Sequence, residues 1–333
     1  MMDLPSYVQI EPVGQCNLRC TMCPIQFRTD GPPHGPAALL PFESFTRIID
    51  GFPALSHLHL QGLGEPLIHP RFFDMVAYAS GKKIEVTTNT NMTLLSDRMA
   101  ALCVSSGLSG LHVSIDGATS TTYERIRTGA HFAQVVRNVE RFLAARRSSG
   151  GATPYLRVIM VAMRGNLDEL PGVVRLAASW EAESLFVQHL CHDYGEGSLP
   201  PQYQRMRDFV EAETLLGEDP GRVAEQFGEA KEAADRLGLD LRLPRIQPRE
   251  HPAGTPGPER CDWPWRGAYV SWSGLAMPCC MVSTPDRIHF GSVIESSARD
   301  VWNGERYEAF RRALASDVPP EVCRSCSLYK GVF

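Results

Sequence analysis

The stretch "YVQIEPVGQCNLRCTMCP" (residues 7–24) joins an apolar run to a loop with three cysteines, Cys16, Cys20 and Cys23. Three thiols this close together fit a disulfide scaffold, a zinc site or a cluster that needs three ligands. The first residues lack the basic and apolar regions of a signal peptide, which predicts a cytosolic protein with reduced thiols. Disulfides are therefore not expected, and the ten cysteines of the chain indicate metal ligation.

The composition excludes two classes of protein. The 333 residues carry a formal net charge of −5, whereas a nucleic-acid-binding surface is basic. The sequence contains no run of eighteen apolar residues, so we expect no membrane-spanning segment and no membrane partner. The length suits one large domain and a smaller one.

Short apolar runs alternate with helical patterns along the first 190 residues. The runs lie at residues 7–11, 58–61, 84–88, 111–116, 156–162 and 184–190. The clearest helical stripe consists of Phe132, Val135, Val136, Val139 and Leu143. Six strands that alternate with helices predict an α/β fold with a parallel sheet. Six units are too few for an eight-stranded barrel, so the sequence predicts a partial, open (β/α)6 TIM-like barrel.

The region after residue 195 divides differently. Residues 202–216 and 222–238 have helical patterns, and residues 247–260 have the proline and glycine density of a linker. We therefore predict a partial barrel over 1–195, a helical connector and linker over 196–259, and a small cysteine-rich domain over 260–333.

Ligands of a parallel sheet bind at the carboxyl ends of its strands, where the three-cysteine loop lies. A structural zinc site needs four ligands, so zinc would require a distant fourth residue. A [4Fe–4S] cluster is also bound by thiolates, and three of them leave one iron open. At this point both a borrowed-ligand zinc site and a three-cysteine cluster fit the loop.

The loop resembles the signature of the radical S-adenosylmethionine (radical SAM) superfamily, in which three cysteines follow the first strand. "GLGEP" (residues 62–66) resembles the family's Gly-Gly-Glu-Pro motif, with Leu63 in place of a glycine. The resemblance implies that Cys16, Cys20 and Cys23 bind a [4Fe–4S] cluster. It also implies that Gly64 and Glu65 hold the amino group of SAM.

Further SAM contacts follow from the same resemblance. "VSIDG" places Ser114 and Asp116 at the functional edge, and Ser114 is expected to reach the ribose or carboxylate of SAM. Arg127 is expected to pair with that carboxylate, with Arg125 as the alternative. Met22 lies where the family packs an apolar side chain on adenine, and Thr88 and Asn89 line the pocket or form a turn.

Five cysteines follow the linker, Cys261, Cys279, Cys280, Cys323 and Cys326. Together with Gly274 they resemble the short "twitch" version of the SPASM domain, which carries one auxiliary [4Fe–4S] cluster. The implied ligands are Cys261, Cys279, Cys323 and Cys326, with Cys280 as the alternative to Cys279; a four-thiolate zinc ribbon is the other alternative. Full SPASM domains have more cysteines after the last pair, for a second auxiliary cluster, and this sequence has none after Cys326. We therefore expect two [4Fe–4S] clusters in all, one in each group of cysteines.

The resemblance implies an enzyme that cleaves SAM to a 5′-deoxyadenosyl radical and takes its electron from a flavodoxin- or ferredoxin-type donor. Peptide-modifying relatives often carry a leader-binding domain before the cysteines, and here the first cysteine is residue 16. We therefore expect a small-molecule substrate, a sugar, aminocyclitol or nucleoside-like natural-product intermediate whose alcohol is oxidised to a carbonyl. The alternatives are epimerisation or decarboxylation, modification of a peptide or protein side chain, and a non-catalytic zinc-binding protein.

Other polar residues at the functional edge are candidates for the reaction itself. His59, Gln61, Gln188 and His192 are predicted substrate contacts. Cys191 and Cys280 are possible hydrogen-atom donors, although packing is the commoner role for Cys191. Cys103 lies on a helical stripe and is predicted to be a buried apolar residue.

Overall fold

The structure is a computed structural model that describes residues 2–31, 35–190, 194–282 and 284–333. Its strands are β1 Tyr7–Ile10, β2 His57–Leu60, β3 Glu85–Thr90, β4 Gly110–Ser114, β5 Tyr155–Val161, β6 Ser184–Gln188, β7 Asp240–Arg242, β8 Gly267–Val270, β9 Leu275–Met277 and β10 Gly291–Ser292. All ten belong to one sheet.

Helices connect most of these strands. They are α1 Phe42–Asp50, α2 Phe72–Gly81, α3 Asp97–Ser105, α4 Ser120–Ile126, α5 Phe132–Ser148, α6 Leu170–Ser179, α7 Gln204–Glu213, α8 Pro220–Leu237, α9 Gly257–Arg260, α10 Trp263–Arg266, α11 Ala298–Trp302, α12 Glu305–Ala315 and α13 Glu321–Arg324. Short 3₁₀ turns lie at Pro24–Phe27, Pro66–Ile68, Arg164–Glu169, Pro201–Tyr203, Leu215–Gly217 and Cys280–Val282.

The strand order is β10-β9-β8-β1-β2-β3-β4-β5-β6-β7. Strands β1 to β6 are the six predicted strands, and each is parallel to the next in chain order. The predicted α/β class with a parallel sheet is therefore confirmed. The pattern did not predict β7, which adds in parallel to β6.

Helix α5 shows why the apolar pattern produces this layer. Val135, Val139 and Leu143 of the predicted stripe are buried, while Phe132 and Val136 at its edge are partly buried against the core. Residues three and four apart share one face of a helix, so the stripe packs as a unit. The two predicted helices after residue 200 are α7 and α8, and the apolar face of α8 packs on α6.

The cysteine-rich segment continues the sheet of the barrel. Strand β8 pairs in parallel with β1, so that Gln9 lies opposite Tyr269. Strands β9 and β10 then follow as antiparallel neighbours. The predicted division at residue 260 thus separates two segments that share one sheet. Because β8 lies beside β1, the segment with the second group of cysteines lies next to the strand that leads into the first group. Among the described residues, no helix combines the length and apolar composition that a bilayer span requires.

Candidate functional site

A cavity of about 560 Å³ lies on the concave face of the sheet. Pockets for drug-sized ligands span about 300–1,000 Å³, so this one has room for an extended ligand. At the carboxyl ends of the strands its lining includes Cys16, Cys20 and Cys23 and the loop 62–65. Its opposite part is lined by side chains of the strands themselves. The three predicted cluster cysteines are therefore brought together at one end of a single cavity.

Main-chain hydrogen bonds fix the cysteine loop on two sides. The amide of Thr21 donates to the carbonyl of Ile126 at 2.9 Å, and that of Arg19 donates to Thr128 at 3.0 Å. On the other side the amide of Glu65 donates to the carbonyl of Gln15 at 3.0 Å. Because these bonds join backbone atoms, they do not depend on the identity of the cysteine side chains.

Gly64 is required by the approach of two backbone segments. A Cβ atom at this position would lie 2.1 Å from the carbonyl oxygen of Val13, a contact that real Cβ atoms do not make. Only glycine permits this approach of the 62–66 loop to the cysteine loop. At the preceding position the site tolerates Leu63, whose amide donates to Glu11 at 3.0 Å.

The Glu65 carboxylate faces the cavity but is held by the protein. It accepts hydrogen bonds from the hydroxyl of Thr90 at 2.7 Å and from the amides of Asn91 and Leu67 at 2.8 and 3.2 Å. Burial raises the pKa of Glu65, and these donors oppose that rise. The side chain therefore ties the ends of β2 and β3 together beside the cysteines.

The three thiols are neutral in the absence of a metal centre. Burial raises the pKa of Cys16 to about 12, with the negative charge of Glu65 as a second cause, and burial also raises the pKa of Cys20 and Cys23. The Cys16 sulfur accepts a hydrogen bond from Asn91 Nδ2 at 3.7 Å. Buried thiols deprotonate when a metal centre binds them, so three convergent sulfurs fit a three-cysteine iron–sulfur cluster.

Arg127 is the cavity arginine nearest the cysteines, and its charge acts on all three. Its Nη2 lies 2.7 Å from Oδ2 of Asp116, and its buried Nε has no partner among the described residues. Asp116 is fully buried, accepts from the amide of Val161 at 2.8 Å and does not line the cavity. Asp116 therefore makes no contact in the cavity; it holds Arg127, and its charge contributes to the raised pKa of Cys20. Arg125 donates instead to Gly165, outside the cavity.

The remaining predicted SAM residues divide in two groups. Met22, Ser114 and Asn89 line the cavity. Thr88 does not, because its hydroxyl donates to the carbonyl of Leu60 at 2.8 Å on the other face of the sheet. Alternation along β3 gives this result, since neighbouring residues of a strand point to opposite faces.

The predicted substrate residues that the structure describes also line the cavity. His59 bonds through Nδ1 to the hydroxyl of Thr87 at 2.7 Å, and Gln61 and Gln188 lie at the ends of their strands. Cys191 and His192 lie outside the described residues. Cys103 is fully buried in α3, as predicted from its stripe.

The sequence analysis missed several polar residues of the cavity wall. His112, Tyr155 and Arg157 line the cavity beside His59, and Glu11, which does not line it, accepts from the amide of Leu63, which does. The only sequence signal for His112, Tyr155 and Arg157 was the alternation of side chains along β4 and β5. Alternation predicts which residues share a face of the sheet, but it does not predict which face lines a cavity.

The second group of cysteines surrounds a separate, small and apolar cavity. It is lined by Cys261, Cys279, Cys323 and Cys326, together with apolar side chains such as Phe310. Burial, and then the neighbouring cysteines, raise the pKa of Cys279 well above its usual value. Four thiols around one small cavity fit a fully ligated metal centre, whose positive charge would favour their thiolate forms. Cys280 instead lines the large cavity.

Two family models match this chain. The radical SAM superfamily matches residues 10–177, from the end of β1 to α6. The chain belongs to this superfamily. An iron–sulfur cluster-binding domain, SPASM, matches residues 261–327, which hold all five tail cysteines. The predicted membership, the partial barrel and the cofactors, SAM and [4Fe–4S] clusters, are confirmed by these matches.

The relatives agree with the family. A tungsten-containing aldehyde ferredoxin oxidoreductase cofactor-modifying protein of Pyrococcus furiosus is 26% identical over 340 residues, which cover 97% of this chain and 87% of that protein. A PqqA peptide cyclase of Xanthomonas euvesicatoria is 26% identical over 273 residues, 80% of this chain and 66% of the cyclase. The structure of Streptococcus suis SuiB bound to precursor peptide SuiA has a TM-score of 0.70 and 13% identity over 99% of this chain and 71% of SuiB.

These findings correct one prediction. The expected substrate, a small polyol-like natural-product intermediate oxidised at an alcohol, is wrong, because the chain matches peptide cyclases from several organisms. The prediction used the position of Cys16 in the chain. The position of a motif along a chain does not reveal what a cavity binds.

Proposed function

We propose that this protein is a radical SAM enzyme that modifies a side chain of a peptide substrate. The observation that carries the proposal is the 26% identity to a PqqA peptide cyclase across 80% of the chain. When bound, the cluster and SAM together supply a 5′-deoxyadenosyl radical, which removes a hydrogen atom from a C–H bond. The protein must then place both ligands and exclude water.

The residues beside the cysteines are suited to hold SAM. The backbone of Gly64 and Glu65 faces the cavity next to Cys16 and offers acceptors to an amino group. Arg127 is a buried cation beside the three cysteines, and its Nε, which bonds to none of the described residues, can donate to the carboxylate of SAM. Met22 and Ser114 provide an apolar surface and a hydroxyl on the same wall.

The other part of the cavity is suited to a peptide side chain. Tyr7, Tyr155, Phe186 and Phe333 supply aromatic surface. His59 and the other polar residues of the strands lie among these rings and provide donors and acceptors in fixed positions. A cavity that combines apolar walls with a few placed polar groups selects a ligand by orientation.

The tail cysteines complete the proposal. Ligation by Cys261, Cys279, Cys323 and Cys326 leaves no iron open, which suits electron transfer from the substrate. We place the auxiliary centre in residues 260–333, after a barrel over 1–195 and a connector over 196–259. The addition of β8 to β1 supports a fixed distance between the two centres.

The test uses anaerobically reconstituted protein, SAM, a reductant and precursor peptides encoded beside the gene. We expect one 5′-deoxyadenosine per modified peptide. A cross-link between two side chains would lower the peptide mass by two hydrogens, one removed as an atom and one lost as a proton, and an auxiliary centre held by the tail cysteines would accept the remaining electron.

The control is the variant with Cys16, Cys20 and Cys23 replaced by alanine, which should form no 5′-deoxyadenosine. The proposal is wrong if SAM cleavage is unaffected by every peptide and no peptide changes mass. Such a result would leave membership of the superfamily intact.

A further inference from the structure

Arg157 is a cation on the cavity wall that forms no ion pair within the part of the chain that the structure describes. It lies on β5 opposite His112 of β4, and that histidine lies opposite Asn89 of β3. Its Nε donates to the hydroxyl of Ser184 at 2.8 Å. Among the described residues, no carboxylate lies within 4.0 Å of its guanidinium, whereas the other cavity arginine, Arg127, is paired with Asp116.

The groups around Arg157 do not compensate its charge. Burial lowers the pKa of His59 to about 4 and that of His112 well below its usual value, and the charge of Arg157 contributes to both shifts. Both rings are therefore neutral at pH 7. His112 Nδ1 lies 2.8 Å from Asn89 Oδ1, and its Nε2 lies 3.5 Å from the Tyr155 hydroxyl.

These neighbours provide hydrogen bonds but no negative charge. The guanidinium also lies 5.5 Å from the centre of the Tyr155 ring, which keeps it against the wall. Glu85 and Glu183, whose charges act on Tyr155, do not line the cavity. On the cavity side, an anionic partner for this partly buried arginine must therefore come from a ligand.

We infer that Arg157 binds a carboxylate of the peptide substrate in the cavity. This inference rests on the proposed function and adds the substrate class, a peptide that carries a carboxylate. The Nη atoms of arginine form a planar fork that matches a carboxylate with two hydrogen bonds. The carboxylate comes from an acidic side chain or from the end of the peptide, because both present the same two oxygens.

The position of Arg157 leaves space for the reaction. It lies four residues before Val161, which ends β5 near the cysteine end of the cavity. A strand rises by about 3.3 Å per residue, so the two positions are separated by about 13 Å. A carboxylate bound at Arg157 therefore leaves the reacting part of the peptide between it and SAM.

The test measures binding of three synthetic peptide mixtures of equal length to the reconstituted holoenzyme with SAM. The first has one fixed glutamate and an amidated end, the second has glutamine and an amidated end, and the third has glutamine and a free carboxyl end. Retained peptides are quantified by mass spectrometry. We expect a carboxylate-bearing mixture to be retained about 10- to 150-fold over the neutral one.

The variants assign this preference to the arginine. Arg157→Gln should abolish it, and Arg157→Lys, which keeps the charge, should keep part of it. Arg137→Gln on the exposed face of α5 is the matched control and should bind as the wild type does. Iron content per chain checks that each variant is folded, and the Lys variant supplies the result if the Gln variant is not.

The outcomes distinguish the source of the carboxylate, and they separate failure of the Arg157 inference from failure of the proposed function. Retention of the first mixture identifies a side-chain carboxylate, and retention of the third identifies the end of the peptide. Equal retention of all three mixtures by the wild type, or an unchanged preference in Arg157→Gln, would overturn the inference while peptide binding survives. If the wild type retains no peptide and modifies none, the proposed function itself fails, and the inference with it.

Discussion

Replacement of Glu11 by glutamine should destabilise the protein far more than neutralisation of an exposed carboxylate does. Glu11 follows β1, and its carboxylate and the Arg28 guanidinium are both 0% exposed. The carboxylate accepts from Arg28 Nη1 and Nη2 at 2.8 and 3.0 Å, and from the amides of Leu63 and Trp272 at 3.0 and 3.2 Å. One side chain thus joins Arg28, which follows the cysteine loop, to the 62–66 loop and to the turn after β8.

The magnitude follows from these four bonds. Glutamine keeps one acceptor oxygen but turns an –NH₂ group toward donors, so two of the four bonds are lost and Arg28 loses its buried counter-charge. Removal of one partner of a buried ion pair costs about 3–5 kcal/mol. Asp30 also pairs with Arg28, at 2.8 Å, and would still compensate its charge in the variant. We therefore expect a loss of unfolding free energy of about 3 kcal/mol, the lower end of this range.

The assay is urea unfolding of the anaerobic holoenzyme, followed by fluorescence. With a slope of about 3 kcal/mol/M, the midpoint should fall by about 1 M or more. Glu43→Gln is the matched control, because that carboxylate is 79% exposed in its pair with Arg71 and should change stability by less than about 1 kcal/mol. Equal shifts for the two variants would refute the assignment of Glu11 as the residue that joins these segments.

Three further predictions concern single positions. Cys279→Ala should remove about four of eight irons per chain, whereas Cys280→Ala should remove none, and an iron assay showing the reverse would exchange their roles. Gly110→Ala should cost about 1–3 kcal/mol in urea unfolding, because its Cβ would lie 2.3 Å from Cζ of the cavity ring Tyr155; Gly228→Ala, whose Cβ meets nothing within 4 Å, should instead stabilise by about 0.5–1 kcal/mol. Burial lowers the pKa of His59 to about 4 in the folded protein, whereas the unfolded histidine has a pKa of about 6.5. As the pH falls below about 6.5, the unfolded chain therefore takes up a proton that the folded chain does not, which favours unfolding. Unfolding free energy should therefore drop by about 2 kcal/mol more between pH 7 and pH 5 in the wild type than in His59→Gln, and equal drops would contradict a buried neutral ring.

The sequence by itself determined the class of fold and the two groups of cysteines. Strand and helix periods are local, so the six strands and the α5 stripe could be predicted from spacing alone. The same holds for the grouping of Cys16, Cys20 and Cys23, because three side chains in one short loop need no tertiary contact to lie close together. The substrate could not be predicted in this way, and the prediction made from the position of the loop was wrong.

Only the tertiary structure decided which distant residues share the cavity. Alternation on β4 and β5 shows that His112 and Arg157 lie on one face of their strands, but the curvature of the sheet decides that this face lines the cavity. The pairing of β8 with β1 brings Trp272 to Glu11 and turns Cys280 toward the large cavity while Cys279 faces the small one. Such contacts join segments that are far apart in the chain. No local sequence pattern encodes them, because their geometry arises only when the strands have paired and the sheet has curved.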